Sequence, residues 1–317
     1  MIRRPPRSTL SSSSAASDVY KRQYIDRGDW WLQDDYVQKR VLMYNLKSYV
    51  SYYGDWDSDL DTVIKELHEK ENTAEYLNNN KIAMAITGKA NATSVAEHVM
   101  TMMLCLTKNI FESDRLVKLG KFQEKGNLPN YFELYNKKIL ILGFGRIGKA
   151  LAKRCSGFEM KVYVHDPFLS DEEIKNLNCI PINKDEGFKI ADYISIHLPL
   201  NEETKNLISF DQFETFKSNL ILINTARGGI INEDALYEAL KNKKIFGAGV
   251  DVFEKEPPIE NHKLFSLNNI LLTPHNAALT LECRKRMSVE SCENVFDFLT
   301  TVSYTHLRAH ETPEHLV

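Results

Sequence analysis

Three glycines, Gly143, Gly145 and Gly148, fall in the pattern G-x-G-x-x-G, and Asp166 follows 18 residues after the last of them. An apolar run, Ile139 to Leu142, leads into the first glycine, and a second, Val162 to Val164, leads into His165 and Asp166. Between the runs, Ile147, Leu151 and Cys155 recur on one helical face. Each feature has a use in holding a dinucleotide. One glycine makes a tight turn, one lets backbone approach a pyrophosphate, and one lets a helix pack on a strand. The phosphates then meet the helix N-terminus, where N–H groups and the helix dipole favour negative charge. An acid about 20 residues further on meets the adenosine ribose hydroxyls. The glycine pattern alone is weak. Strand, turn, helix, strand and acid in that order point to a dinucleotide site.

Beyond Asp166 the alternation continues. Short apolar strands are predicted at Tyr193–Ile196, Leu220–Ile223, Ala248–Val250 and Ile270–Leu272, with helix-permissive stretches at Asp171–Leu177, Asp211–Phe216 and Asn232–Leu240. Asn232 is suited to cap its helix, with acids in the first turn. Strands alternating with helices imply a parallel sheet covered on both faces, and ligands of such sheets bind beyond the carboxyl ends of the strands. The fold class is therefore α/β, a doubly wound parallel sheet of the Rossmann type with a second, smaller domain. The residues just after the strands are H-L-P-L from His197, N-T-A-R-G-G from Asn224, D-V-F-E-K-E-P-P from Asp251 and T-P-H-N-A-A from Thr273. One sheet edge thus collects Asp166, His197, Arg227, Asp251, Glu256 and His275, a concentration of polar groups expected of a catalytic site.

The bulk numbers bound the rest. The chain has 317 residues, of which 43% are hydrophobic and 26% charged, ordinary for a globular protein. A formal net charge of −3 gives no electrostatic case for nucleic acid or a membrane surface as partner. No apolar run approaches the roughly 18 residues of a membrane span. Cys105, Cys155, Cys179, Cys283 and Cys292 are scattered, with no C-x-x-C spacing. An odd, scattered set argues for reduced thiols in a cytoplasmic compartment and for no metal site.

Val95, Val99, Met102, Met103, Leu106, Ile110 and Phe111 recur at helical spacing, with Ser94 and Glu97 placed as a capping box, which predicts one long helix ending near Gly120. Its methionine stripe reads as core or as a subunit contact. Gly126 to Pro129 forms a break. Earlier in the chain, Val41 to Val50 is a candidate strand, Asp61 to Asn78 a helix-permissive stretch, and Ile82 to Ile86 a short apolar run. Residues 1–23, rich in Arg and Ser, and residues 302–317 resemble translated adapter sequence, so they are set outside the fold. For the same reason His306, His310 and His315 carry no metal site.

The motifs G-F-G-R-I-G, H-L-P-L-N-E-E-T-K, N-T-A-R-G-G-I-I-N-E-D-A-L, D-V-F-E-K-E-P-P and T-P-H-N-A-A together resemble the D-isomer-specific 2-hydroxyacid dehydrogenases, in particular their phosphoglycerate dehydrogenase-like branch. The resemblance covers roughly residues 94–299. It implies a nicotinamide-binding domain over 94–280, with a substrate domain from 24–93 and a returning helix at 281–301. It also implies an NAD-dependent oxidoreductase acting on a small 2-hydroxy or 2-oxo acid, such as 3-phosphoglycerate, glycerate or hydroxypyruvate. A homodimer is the implied assembly. The alternatives are a non-catalytic NADH-responsive binding protein, like the family's corepressors, and an inactive, truncated dehydrogenase.

The family's catalytic Arg, Glu and His match Arg227, Glu256 and His275. Their chemistry suits reduction of a 2-oxo acid. His275 can give a proton to the carbonyl oxygen, while Glu256 would hold its tautomer and favour the imidazolium. Arg227 offers a planar fork for the substrate carboxylate. Among cofactor residues, Gly143, Gly145 and Gly148 form the turn, and backbone at Arg146 and Ile147 would face the pyrophosphate. Asp166 would accept from the ribose and repel a 2′-phosphate, favouring NAD over NADP. The resemblance adds Pro199 and Thr204 near the adenosine, Thr225 and Ala226 near the nicotinamide, Asp251 near its carboxamide, and Ala277. His197 reads equally as a cofactor contact or as a packed strand-end residue. Asn91 matches a position facing the active cleft in relatives and is a candidate substrate contact. Gly54-Asp55-Trp56 is the nearest match to the family's Gly-x-Gly substrate loop and lacks its second glycine. Formate dehydrogenases resemble the chain around Ser94–His98 but place Gln where Glu256 stands.

Overall fold

The computed structural model describes residues 87–128 and 131–300. Residues Lys89–Cys283 form one compact unit, and residues 284–300 belong to a second. The first unit holds a seven-stranded sheet: β1 (Lys138–Leu142), β2 (Lys161–His165), β3 (Ile180–Pro181), β4 (Tyr193–Ile196), β5 (Ile221–Asn224), β6 (Gly247–Val250) and β7 (Ile270–Leu272). Every strand pair is parallel, in the order β3-β2-β1-β4-β5-β6-β7. The order reverses between β1 and β4, which opens a crevice beyond their carboxyl ends. Gly143 ends β1 and His197 ends β4 at that point.

Strand composition follows from burial on two faces. In β1, Leu140 and Leu142 join a core with Phe188, Phe213, Leu236 and Leu240. Ile139 and Ile141 point the other way, into a core with Val99, Met102, Met103, Leu151 and Cys155. A strand wet on neither side disfavours polar residues, which is why β1 reads as a continuous apolar run. Each fully buried Leu or Ile contributes about 1.5–3 kcal/mol by leaving water.

The helices on the sheet are α1 (Ala92–Lys108), α2 (Ile110–Lys118), α3 (Arg146–Gly157), α4 (Asp171–Lys175), α5 (Lys184–Ile190), α6 (Phe210–Thr215) and α7 (Glu233–Lys241); α8 (Leu281–Thr300) passes into the second unit. Asn232 caps α7 as expected, its side chain accepting from the Ala235 N–H at 2.9 Å. The methionine stripe of α1 is core, since Met102 and Met103 are buried against the sheet. Gly249 in β6 makes room there, because a Cβ at that position would come within 2.9 Å of the Met102 sulfur.

Several expectations are corrected. The predicted long helix is two helices, broken at Asn109, whose left-handed φ of 46° ends one and starts the next. Asn tolerates that conformation better than most residues, and the spacing of apolar positions does not register it. Ser94 and Glu97 form no capping box, because α1 starts earlier, with Asn91 at its N-cap. Ser94 Oγ donates to the Ala277 carbonyl and Glu97 pairs with Arg154, both tertiary partners. The break expected from Gly126 to Pro129 starts two residues late, because Gly126 and Asn127 close a 3₁₀ helix, Phe122–Asn127. Strand β3 and helix α5 escape the sequence pattern, being too short to show a period. The strand, helix and apolar run expected before residue 87, the Gly54 loop and the two terminal segments lie outside the described residues.

Candidate active site

The glycine turn is built by close approach. Gly143 has φ of 89°, and a Cβ there would lie 2.5 Å from the His197 carbonyl oxygen. A Cβ on Gly148 would strike the Gly143 carbonyl, so α3 can start against the turn only with glycine at that position. Gly145 faces open space, with nothing within 4 Å of a built Cβ. The N-cap of α3 is Gly145, with no side-chain cap and no acid in the first turn. The first N–H groups of a helix lack intrahelical partners, so those at Arg146, Ile147 and Gly148 leave partial positive charge at the start of α3.

Asp166, at the end of β2, is held by backbone. Its Oδ2 accepts from the Phe144 N–H at 2.7 Å and its Oδ1 from the Phe168 N–H at 2.9 Å. A carboxylate has about four acceptor positions, so capacity for ribose hydroxyls remains. His197 follows β4, with Nε2 2.9 Å from Ser195 Oγ. Burial pushes its pKa down to about 3, so the ring is neutral. The buried His197 Nδ1 and Thr225 Oγ1 have no hydrogen-bond partner among the described residues. Orphaned polar atoms are rare in an interior, and these two flank the same strand ends as the glycine turn. Thr204 Oγ1 donates to the Pro199 carbonyl at 2.6 Å and so closes the loop after β4.

After β5, Asn224 shapes the turn that carries Arg227. Its Nδ2 donates to the Arg227 carbonyl at 2.9 Å, and its Oδ1 accepts from the Ala226 N–H at 3.0 Å. The half-buried Arg227 donates from Nη1 to the Ala226 carbonyl at 2.7 Å. After β6, Glu256 Oε1 accepts from the Phe253 N–H at 3.0 Å, which leaves Oε2 directed at His275 Nδ1, 2.7 Å away. The His275 side chain is 49% exposed.

His275 owes its place to Asp251, which is wholly buried. Asp251 Oδ1 accepts from the Thr273 hydroxyl at 2.5 Å and the Asn276 N–H at 3.0 Å, and Oδ2 accepts from the Ala277 N–H at 3.1 Å. These bonds close the turn around His275, whose φ of 50° is left-handed and needs such support. His98 on α1 adds a contact, its Nε2 3.0 Å from Thr273 Oγ1. Burial lowers its pKa, against a raising effect of the Asp251 charge. Val95, Ile147 and Ala277 then pack in one small apolar cluster, so α1, α3 and the His275 turn meet. Asn91 caps nothing with its side chain, while its carbonyl accepts from the Val95 N–H at 3.0 Å.

The structure thus brings the glycine turn, Asp166, His197, Thr225, Ala226, Arg227, Asp251, Glu256, His275 and Ala277 to the strand-end edge of one sheet. Reading the sequence alone missed Asn224, Thr273 and His98 as organisers of this edge. The signal available was their position at strand ends and on α1, with nothing to name their partners. Among the described residues no cluster of potential ligands could hold a metal ion, and no helix is long and apolar enough to cross a membrane.

Comparison with known proteins agrees with this architecture. Residues 100–277 match the family described as D-isomer specific 2-hydroxyacid dehydrogenase, NAD binding domain. Over 205 residues the chain is 40% identical to D-3-phosphoglycerate dehydrogenase of Archaeoglobus fulgidus, covering 65% of this chain and 38% of that protein. It is 39% identical over 212 residues to hydroxypyruvate reductase of Thermotoga maritima, covering 66% of this chain and 68% of that one. D-Lactate dehydrogenase of Aquifex aeolicus, solved with NAD and lactic acid, superposes with a TM-score of 0.64 at 30% identity, covering 71% of this chain and 72% of that one. The chain therefore spans well under half of the archaeal phosphoglycerate dehydrogenase and about two thirds of the hydroxypyruvate reductase. Matched over more than half its length, with an all-parallel sheet whose first turn is G-x-G-x-x-G, the chain belongs to the D-isomer-specific 2-hydroxyacid dehydrogenase family and carries its NAD-binding domain.

Proposed function

We propose that this protein transfers a hydride between NAD(H) and a small D-2-hydroxy acid or its 2-oxo counterpart, with 3-phosphoglycerate, glycerate and hydroxypyruvate as the substrate class. The observation that carries the proposal is the Glu256–His275 pair, 2.7 Å apart, on the same sheet edge as Arg227 and the glycine turn. The cofactor would be held by the turn from Gly143 to Gly148, by backbone at Arg146 and Ile147, and by Asp166. His197, Pro199, Thr204, Thr225, Ala226, Asp251 and Ala277 complete the proposed set. The open face at Gly145 and the unpartnered His197 Nδ1 and Thr225 Oγ1 fit a polar ligand at this edge. When bound, the nicotinamide supplies the hydride. His275 gives a proton from Nε2 to the substrate oxygen while Glu256 holds Nδ1. Arg227 binds the substrate carboxylate and orients the carbonyl, and Asn91 is a further substrate contact.

The proposal includes a nicotinamide domain over 94–280 and a substrate domain from 24–93 with 281–301, flanked by foreign segments at 1–23 and 302–317. It also includes a homodimer in a reducing, cytoplasmic compartment, supported by the resemblance and by the free cysteines. The test is the purified chain with NADH and a panel of 3-phosphohydroxypyruvate, hydroxypyruvate and glyoxylate. Loss of the reduced-nicotinamide absorbance with at least one of them is expected. NADH binding with no turnover on any would overturn the dehydrogenase assignment.

A further inference from the structure

We propose that Glu233 and His262 act as positioning residues, a latch that fixes the loop carrying Glu256 and, through it, the tautomer of His275. This rests on Glu256 and His275 being the proton-handling pair. Glu233 is the first residue of α7, a few residues after Arg227, whereas Glu256 and His262 lie on the long connection from β6 to β7. Glu233 Oε1 accepts from the Glu254 N–H at 2.8 Å, and Glu254 Oε1 accepts from the Glu233 N–H at 3.3 Å. Glu233 Oε2 lies 3.0 Å from His262 Nε2. The two segments are thus cross-braced in both directions.

The surroundings separate this pair from a surface ion pair. The Glu233 and His262 side chains are only 14% and 12% exposed, whereas pairs exposed to water are screened and contribute little. The His262 ring sits against Phe253 and Phe265, at centroid distances of 5.9 and 5.5 Å. Phe253 is also the residue whose N–H holds Glu256 Oε1. Beside it, Gly228 presses on the same peptide, since a Cβ there would overlap the Phe253 carbonyl. The Phe253–Glu254 peptide is therefore gripped from the Arg227 segment by Gly228 and Glu233, and from behind by His262. A loop without regular structure needs such pins if a carboxylate is to stay aimed at one ring nitrogen. With Nε2 donating to Glu233, the buried His262 Nδ1 is left without a partner among the described residues, and the ring serves as brace rather than as an acid or base.

The experiment reads the His275 tautomer in the full chain by long-range 15N–1H correlation, with the signal assigned by its loss in His275→Asn. Wild type should show the Nδ1–H form, imposed by Glu256. His262→Leu and Glu233→Ala should shift it to a mixture rich in the Nε2–H form. His262→Gln, which keeps a donor for Glu233, should restore the wild-type signal. Turnover should fall by up to about 10²-fold in the Leu variant, since misplacement of about 1 Å can cost that much, with the KM for NADH little changed. If His262→Leu fails to fold, Glu233→Ala carries the test. An unchanged Nδ1–H form in folded His262→Leu or Glu233→Ala overturns the latch, as does a wild type already dominated by Nε2–H. The tautomer is read without substrate, so absence of turnover in wild type would overturn the dehydrogenase assignment separately.

Discussion

Glu256 Oε2 and His275 Nδ1 lie 2.7 Å apart across 19 residues of sequence, and neither residue is placed by its own strand. The Phe253 N–H aims Glu256, and Asp251 closes the turn that aims His275. His275→Asn should lower kcat about 10²–10⁴-fold, the usual contribution of positioned acid–base catalysis. Glu256→Gln should cost less, because an amide oxygen can still accept from Nδ1–H. Steady-state kinetics beside NADH fluorescence titration would check this, with NADH affinity expected to stay near wild type in both.

Arg227 should behave differently from a generic cation. Charge-assisted hydrogen bonds contribute about 1.5–3 kcal/mol each, so Arg227→Ala should cost on the order of 10²-fold or more in kcat/KM. Arg227→Lys should recover little, since an ammonium lacks the planar fork. Equal loss of NADH affinity in the Ala variant would show that Arg227 serves the cofactor instead.

Asp166 sets the cofactor preference if its charge faces the ribose. Asp166→Asn removes the charge and keeps an acceptor for the Phe144 N–H, so the glycine turn should survive. The ratio of kcat/KM with NADPH to that with NADH should rise by about tenfold or more, a change of roughly 1.4 kcal/mol. Parallel assays with the two cofactors measure it directly.

His197 predicts a pH dependence of stability. Its folded pKa, about 3, lies below the ordinary value of about 6.5 because burial penalises the charged ring. The unfolded chain therefore binds a proton below about pH 6.5 that the folded chain refuses until about pH 3. Stability from this group is full above pH 6.5 and is lost as pH falls through that window, at most about 1.4 kcal/mol per pH unit. His197→Asn should remove the slope. Urea midpoints at pH 5, 6 and 7.5 should converge toward wild type as pH falls, and parallel curves would refute the assignment.

Local pattern was enough for six of the sheet's seven strands and for its ligand edge. A parallel strand buried on both faces is mostly apolar, so Ile139–Leu142 and Leu220–Ile223 stood out unaided. The turn at Gly143 was legible for a related reason, since its φ and its approach to the His197 carbonyl exclude other side chains. Residues at the carboxyl end of a strand in such a sheet lie at its ligand edge, which made Arg227, Glu256 and His275 nameable before any coordinates. Only the tertiary structure decided how those residues are held. Ser94 looked like a cap because hydrogen bonding to a helix is a local rule, yet its hydroxyl is spent on Ala277, 183 residues away. Asn109 breaks a helix whose apolar spacing runs on, because backbone conformation at one residue leaves no mark in a period. Asp251, Thr273, His98, Glu233 and His262 organise the site through partners far along the chain. Hydrogen bonds between distant segments obey geometry, and geometry of that kind is not written in spacing.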